Sequence, residues 1–275
     1  MKKGIGLTIA LLMAALCVTS DARADNGSEE IFFQANQAYR EGHFQRAIEG
    51  YLQLIGSGHR KGHIYYNLGN AYFRTDQLGR AILAYERALL LIPRDPDLKF
   101  NLSHARDQIR DAIGDSHGSI ETVFFWLRSF SCTELFGCFA VLNLLFWSVL
   151  VIRLFNRSEW LYYMLLLTFS CWFIAGLSFG LKSYQVSTDD RAVILQDEAN
   201  ILAGPEKSDT VLFKLHEGTV VHRERSEDGW SLVRLSDKKR GWIPSKAIGP
   251  IAGNGSPSIE TGYSRASSQD GGASY

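Results

Sequence analysis

Two stretches of this chain carry no charge at all, 18 residues from Leu135 to Ile152 and 22 from Trp160 to Leu181. A helix needs about 20 apolar residues to cross the hydrocarbon core of a bilayer, and helices that are apolar all round must be buried on every face or lie in lipid. Both stretches are read as membrane spans, over residues 135–155 and 160–181. Their connection carries Arg153 and Arg157 against Glu159, so the positive-inside rule puts it in the cytoplasm and the flanking parts of the chain on the far side. The N-terminus agrees independently. Lys2 and Lys3, the uncharged run Ile5 to Val18 and Ala22-Arg23-Ala24 form the charged, apolar and small-residue regions of a secretory leader over residues 1–24.

The approach to the membrane has its own signals. Ser131-Cys132-Thr133-Glu134 reads as a capping box at the start of the first span. Residues 120–130 mix Val123, Phe124, Phe125, Trp126, Leu127 and Phe130 with Glu121 and Arg128, the composition of an interfacial helix. Gly176 and Gly180 form a GxxxG pair in the second span, and Gly137 with Ala140 lies in the same leaflet of the first. These small residues are assigned to packing within the hairpin, with dimerisation as the alternative. Asn143 is the one strongly polar side chain in the spans. It suits a hydrogen bond across helices, but with no ionisable partner nearby it does not mark an ion pathway. The three cysteines beyond the leader, Cys132, Cys138 and Cys171, lie in or beside the spans and form no CxxC metal site or disulfide framework. Lys and Arg balance Asp and Glu at 29 each, leaving no basic field for a nucleic-acid partner.

Before the membrane the sequence repeats itself at a spacing of 34. Ala35-Asn36, Arg40, Phe44, Arg46-Ala47-Ile48 and Tyr51 fall over Gly69-Asn70, Arg74, Leu78, Arg80-Ala81-Ile82 and Tyr85. The period and the residues Leu68, Gly69, Tyr72, Ala81, Tyr85, Ala88 and Pro93 resemble the tetratricopeptide repeat, an all-α unit. Phe100-Asn101-Leu102 over Tyr66-Asn67-Leu68 adds a capping helix, so the domain is assigned to residues 28–113. The small and large motif residues are packing. The polar ones, Asn36 with Arg40, Asn70 with Arg74, and Asn67 and Asn101, fall on the first helices, which line the concave side in this repeat. They suit a peptide backbone or a carboxylate, the alternative being a solvated face. His59 and His63, four apart in a glycine-flanked turn, are not read as a metal site.

After the second span the periodicity changes to short apolar runs, Arg191 to Gln196, Asn200 to Ala203, Val211 to Leu215, Thr219 to Glu224, Trp230 to Leu235 and Gly241 to Pro244. Leu202-Ala203-Gly204-Pro205, Leu215-His216-Glu217-Gly218-Thr219, Asp228-Gly229-Trp230 and Gly241-Trp242-Ile243 make residues 184–251 similar to bacterial SH3 domains, small all-β barrels. Trp230 and Trp242 either fill the barrel or line an aromatic peptide groove. Residues 252–275 are rich in Gly and Ser, almost without aliphatic side chains, and read as a disordered tail.

The fold class expected is thus a multidomain membrane protein with tetratricopeptide repeats, two transmembrane helices and an SH3-like barrel. That order resembles the BatE type of Bacteroides aerotolerance protein, with Pro93-Arg94-Asp95-Pro96-Asp97 and Asn101 at the end of the repeats. The resemblance implies an inner-membrane scaffold, both soluble domains periplasmic, working with a MoxR-type ATPase and von Willebrand factor A-domain membrane proteins in stress tolerance. It implies no catalytic residue and no cofactor. The residues agree, since no nucleophile with a base, paired acids, metal ligands or phosphate loop is evident. The competing reading is a peptidoglycan-binding or hydrolase-targeting subunit, because SH3 modules of this kind accompany cell-wall hydrolases. A hydrolase itself would need a Cys/His pair in the soluble parts, where no cysteine remains.

Overall fold

The computed structural model of the chain describes residues 26–111, 125–235 and 239–252, and among these residues five short α-helices precede the spans. The leader, residues 112–113 of the cap, residues 120–124 and the tail beyond 252 lie outside the described residues. α1 (Asn26–Arg40) pairs with α2 (Phe44–Gly56), α3 (Gly62–Arg74) with α4 (Leu78–Leu91), and α5 (Pro96–Arg106) packs on α4. Small residues set the approach of each pair. Ala47, Ala71, Ala81 and Ala88 are fully buried, and a Cβ on Gly69 would stand 2.5 Å from the ring of buried Tyr85. In the first repeat Ala35 takes the place of Gly69, and the matching position on α2 is Gly50, where a Cβ would come within 2.8 Å of the Ala35 methyl. The second repeat has Ala84 at the Gly50 position, so each helix pair carries one methyl between those two sites. α5 starts as expected of Asp-Pro, with the Asp95 carboxylate accepting from Leu98 N–H at 2.9 Å.

α6 (Cys132–Phe155) and α7 (Glu159–Ser187) form an antiparallel hairpin closed by three residues. The capping box is present. Glu134 N–H donates to Ser131 Oγ at 3.2 Å, and Ser131 N–H to the Glu134 carboxylate at 2.9 Å. It starts the helix three residues before the uncharged run, while α7 continues six residues past Leu181. Between the helices stand aromatic rings, with Trp172 5.5 Å from Phe146 and 6.0 Å from Phe139 between centroids. Elsewhere their apolar side chains point outward, Leu144 65 % and Phe173 57 % exposed. Core helices of a soluble protein would bury such residues; these two helices are long and apolar enough to cross a membrane. The described part of the expected interfacial helix is only one 3-10 turn, Phe125–Arg128, strapped to α7. Trp126 Nε1 donates to Ser178 Oγ at 3.2 Å and Lys182 Nζ to the Leu127 carbonyl at 2.8 Å.

Seven antiparallel strands follow: β1 (Arg191–Ile194), β2 (Glu198–Leu202), β3 (Val211–His216), β4 (Val220–Glu227), β5 (Trp230–Arg234), β6 (Arg240–Pro244) and β7 (Ile248–Pro250), in the order β3-β2-β6-β5-β4-β1-β7. The barrel begins at Arg191 rather than residue 184, because Tyr184 to Ser187 complete α7. β7, beyond the six runs read from sequence, pairs with β1. One cluster holds Ala192, Ile201, Leu215, Val221, Val233, Ile243 and Ile248, a residue from every strand, so the sheet curls around a single core.

The barrel is docked on α4. Strand alternation sends Ala192 and Ile194 into the barrel core and Val193 out of it, and Val193, Val220, Leu195 and Ile251 join the hydrophobic core of the repeats. Two glycines permit the approach. A Cβ on Gly79 would lie 2.4 Å from the Ile194 carbonyl oxygen, and one on Gly249 2.4 Å from Leu83 Cδ2. Polar groups fix the register. Glu217 accepts from Gly79 N–H at 2.9 Å, supplying the N-terminal cap that Gln77 does not give α4. Arg87 donates to the Pro250 carbonyl at 3.0 Å. Glu86, 1 % exposed, pairs with Arg106 of α5 and lies 3.5 Å from Arg191 of β1. Asp111 accepts from His216 N–H at 2.7 Å and from the Thr219 hydroxyl at 2.6 Å, and its other oxygen is 2.9 Å from His216 Nδ1. Burial raises the Asp111 carboxyl, but these hydrogen bonds outweigh it and hold the group below its ordinary value.

Candidate binding surfaces

The four asparagines of the repeat groove form a ladder. Tyr51 Oη donates to Asn36 Oδ1 at 2.7 Å, and Asn67 Nδ2 donates to the same oxygen at 2.9 Å. One repeat on, Tyr85 Oη donates to Asn70 Oδ1 at 2.8 Å and Asn101 Nδ2 to that oxygen at 2.9 Å. Each member is 34 residues from its counterpart, so the repeat reproduces the hydrogen bonds as well as the helices. Burial pushes both phenols above their ordinary range, which keeps them protonated as donors. The asparagines therefore join α1 to α3 and α3 to α5, a structural part that their polar character alone did not disclose. Their amide orientations follow from the network.

The arginines differ from one another. Arg40 is exposed in the last turn of α1. Arg74 is also exposed, with its guanidinium 4.5 Å from the centroid of the Phe44 ring, a cation–π contact worth about 0.5–1 kcal/mol at an exposed site. Asn101 Nδ2 is also 3.1 Å from Tyr66 Oη, and Phe100 and His104 stack beside it, their ring planes 6° apart.

In the barrel, Trp242 is 8 % exposed, with Arg225 over its ring at 5.3 Å. Trp230, half-buried, pairs across the sheet with Glu227 and Pro244. They stand on β5 and β6, whereas the docked strands are β1 and β7.

The small residues of the hairpin divide. Gly176 faces α6, since a Cβ there would meet the Phe139 ring at 3.0 Å. Gly137 and Gly180 have nothing within 4 Å of such a Cβ, and Ala140 is half-exposed. The packing assigned to Gly137 and Gly180 is absent because aromatic side chains fill the seam and hold the backbones apart.

The docking surface is what sequence reasoning missed, and its signal was available. At the 34-residue spacing, Glu49 of α2 becomes Leu83 of α4 and Gly56 becomes Leu90. A second repeat helix with one wet face had become apolar where the barrel sits. Likewise Ala192-Val193-Ile194-Leu195 runs without polar alternation, the mark of a strand covered on both faces.

Residues 62–95 match the tetratricopeptide repeat family and residues 196–249 the bacterial SH3 domain family. No curated protein sequence matches the chain. The two family matches suggest protein binding, and the second also cell-wall binding.

Proposed function

We propose that this protein is a non-enzymatic adaptor of the bacterial inner membrane, its two soluble modules periplasmic and its repeat groove holding an extended segment of another membrane protein. The asparagine ladder carries the reading. It consumes Oδ1 of Asn36 and Asn70, one Nδ2 hydrogen of Asn67 and the Nδ2 of Asn101, which also reaches Tyr66. Nδ2 of Asn36 and Asn70 and Oδ1 of Asn67 and Asn101 remain outside it, an alternation of donors and acceptors that complements a peptide backbone. Arg40 and Arg74 add charge for a carboxylate. The tyrosines hold the amides in place before a ligand arrives, which lowers the entropy lost on binding. Two repeats and a cap offer few such contacts, so affinity is in the micromolar range, about 8 kcal/mol.

The family resemblance supplies the partner class, von Willebrand factor A-domain membrane proteins working with a MoxR-type ATPase in stress tolerance. Docking of the barrel on the repeats supports a shared side, because segments before and after the hairpin meet only if the chain crosses an even number of times between them. The leader and Arg153/Arg157 argue that this side is the periplasm. The test is co-purification from native membranes. The double variant Arg40→Ala, Arg74→Ala keeps its helicity and recovers less of the A-domain partners; unchanged recovery with helicity intact refutes the groove. Binding of peptidoglycan is the second reading, favoured by the position of half-buried Trp230 on a strand that docking leaves clear. Retention of the full chain on purified peptidoglycan, lost in Trp230→Ala, would establish it.

A further inference from the structure

Helix α4 is tied to the hairpin at two heights. Just past its C-terminal end, Arg94 pairs with Glu134 and stands 5.0 Å over the ring centroid of Phe130. Glu134 lies at the edge of the uncharged run of α6. Because Phe139 faces Gly176 and Phe146 faces Phe169 across the seam, Glu134 is level with Leu181, where the uncharged run of α7 ends. Earlier in α4, Glu86 lies 3.5 Å from Arg191, which follows the end of α7 at Ser187. By Ser187 the helix has risen six residues past Leu181, about 9 Å. The lower tie is therefore at the border of the apolar hairpin and the upper one clear of it, so α4 stands with its C-terminal end toward the bilayer.

The repeat sets what else lies at that level. Turns that join the second helix of one repeat to the first helix of the next fall at one end of the stack, so residues 57–61 share their end with residues 92–95. The two turns are about 9 Å apart, the spacing of packed helices. At the 34-residue spacing Arg60 is the counterpart of Arg94 and Lys61 that of Asp95. Arg60, Lys61 and the neighbouring His63 are exposed. The hairpin packs under α4, so the turn of the first repeat overhangs lipid.

We infer that this turn rests on the phosphate layer of the adjoining leaflet, with Arg60 and Lys61 on anionic headgroups. Arg94 meets a protein carboxylate at the border of the spans, and Arg60, at the same level one repeat away, meets lipid phosphate. Lysine in the place of Asp95 changes the charge of the turn in the sense that an anionic surface attracts. Glu29 and Glu30 near the start of α1 and Asp97 at the start of α5 lie at the same end of the stack, which confines the contact to the turn between them. The inference rests on α6 and α7 crossing the membrane, and it gives the groove a direction. With the starts of α1, α3 and α5 toward lipid, the groove runs parallel to the bilayer, Asn70 about 12 Å and Arg74 about 18 Å above the start of α3. A segment held there belongs to a neighbour just outside its own span.

The experiment places the full chain in nanodiscs of phosphatidylethanolamine and phosphatidylglycerol, with a nitroxide on a fraction of the headgroups. Cys132, Cys138 and Cys171 are replaced by alanine and a single bimane-labelled cysteine is introduced. The label is quenched in His63→Cys, beside the turn, and is not quenched in Gln45→Cys, in the first turn of α2 at the far end of the stack. Each basic side chain strengthens contact with an anionic surface about five-fold. Arg60→Ala with Lys61→Ala thus lowers the ratio of touching to lifted states about 30-fold and releases the quenching at position 63. Exchange of phosphatidylglycerol for phosphatidylcholine releases it with both residues intact. Equal quenching at positions 63 and 45 overturns the inference, as does quenching at position 63 that survives either change. Carbonate extraction separates the premise: a chain stripped from membranes refutes the spans themselves, whereas a chain that resists extraction and leaves position 63 unquenched refutes the contact alone.

Discussion

Replacing Leu83 by glutamate restores to α4 the residue type that α2 carries at the matching position, Glu49, and it should separate the barrel from the repeats. Leu83 is 6 % exposed, with Cδ2 against Gly249 of β7. Withdrawing a leucine side chain from such a site forfeits about 2 kcal/mol. A carboxylate placed there leaves water and costs several kcal/mol more, must take up a proton, or draws Arg87, one turn on, away from the Pro250 carbonyl. The sum, about 5 kcal/mol, is of the size the Glu217 and Arg87 bonds return together at about 1–3 kcal/mol each, which leaves docking to Asp111, Glu86 and the remaining apolar contacts and shifts it toward the undocked state. The barrel has its own core, in Ala192, Ile201, Val221, Val233 and Ile243, so it should undock and stay folded. Hydrogen exchange on the full chain in nanodiscs reads the difference. Amides of the first turn of α4 and of β7 should exchange faster, whereas the β5–β6 ladder from Trp230 to Pro244 keeps its protection. Leu83→Ala, losing about 3 kcal/mol, should give a partial effect. If α4 and β7 keep full protection in Leu83→Glu, docking does not rest on this face; if β5–β6 is lost as well, the barrel has no independent stability.

Asp111 is held below its ordinary pKa by the groups it accepts from, so its contribution to docking is complete above the unfolded value, about 4, and is lost as pH falls through its lower folded value. The same exchange signature should appear on acidification below about pH 4, and Asp111→Asn should respond less to that change than wild type. Removing Glu86 takes the buried carboxylate from beside Arg106 and Arg191, whose side chains are about a third exposed, while Arg191 keeps its pair with Asp189. Glu86→Ala should therefore destabilise by about 2 kcal/mol, below the 3–5 kcal/mol seen when the remaining charge is fully buried, as measured by urea unfolding. Gly69→Ala puts a methyl 2.5 Å from the Tyr85 ring; overpacking of about 1–3 kcal/mol and a displaced Tyr85–Asn70 bond should lower the melting temperature of the repeats. Gly176→Ile should loosen the hairpin, since Phe139 occupies the space, whereas Gly180→Ile should leave its thermal stability unchanged.

What the sequence made legible follows from which interactions are local. The two long apolar helices and the capping box at Ser131 and Glu134 depend on neighbours in the chain, and composition and spacing located them to within a few residues. The repeat is nearly as local, because its packing partners recur 34 residues apart. The docking is not: Glu217 reaches Gly79 across 138 residues, and no periodicity encodes that distance. It left only an indirect trace, apolar residues at Leu83 and Val193 on faces a free module would keep wet. The asparagines illustrate the converse limit. Their recurrence was visible, but Tyr51 and Tyr85 looked like filler, and that their hydroxyls orient Asn36 and Asn70 emerges only when the helices stand side by side. The glycines of the spans misled for a similar reason, since a GxxxG spacing specifies a surface and not whether another backbone or the rings of Phe139 and Trp172 will lie on it.

The division of one hydrophobic core between the two ends of the chain also has a consequence in time. A ribosome delivers the repeats first, then the hairpin, and Val193, Val220 and Ile251 last. Until those arrive, α4 shows water the face that bears Leu83 and the acid Glu86, and the N–H of Gly79 has no cap. A chain that stops short, or one whose barrel fails to form, is left displaying that face outside the membrane. The finished protein hides it. Completion of synthesis is thereby written on the surface of the repeats, in a form that chaperones and proteases read as exposed hydrocarbon.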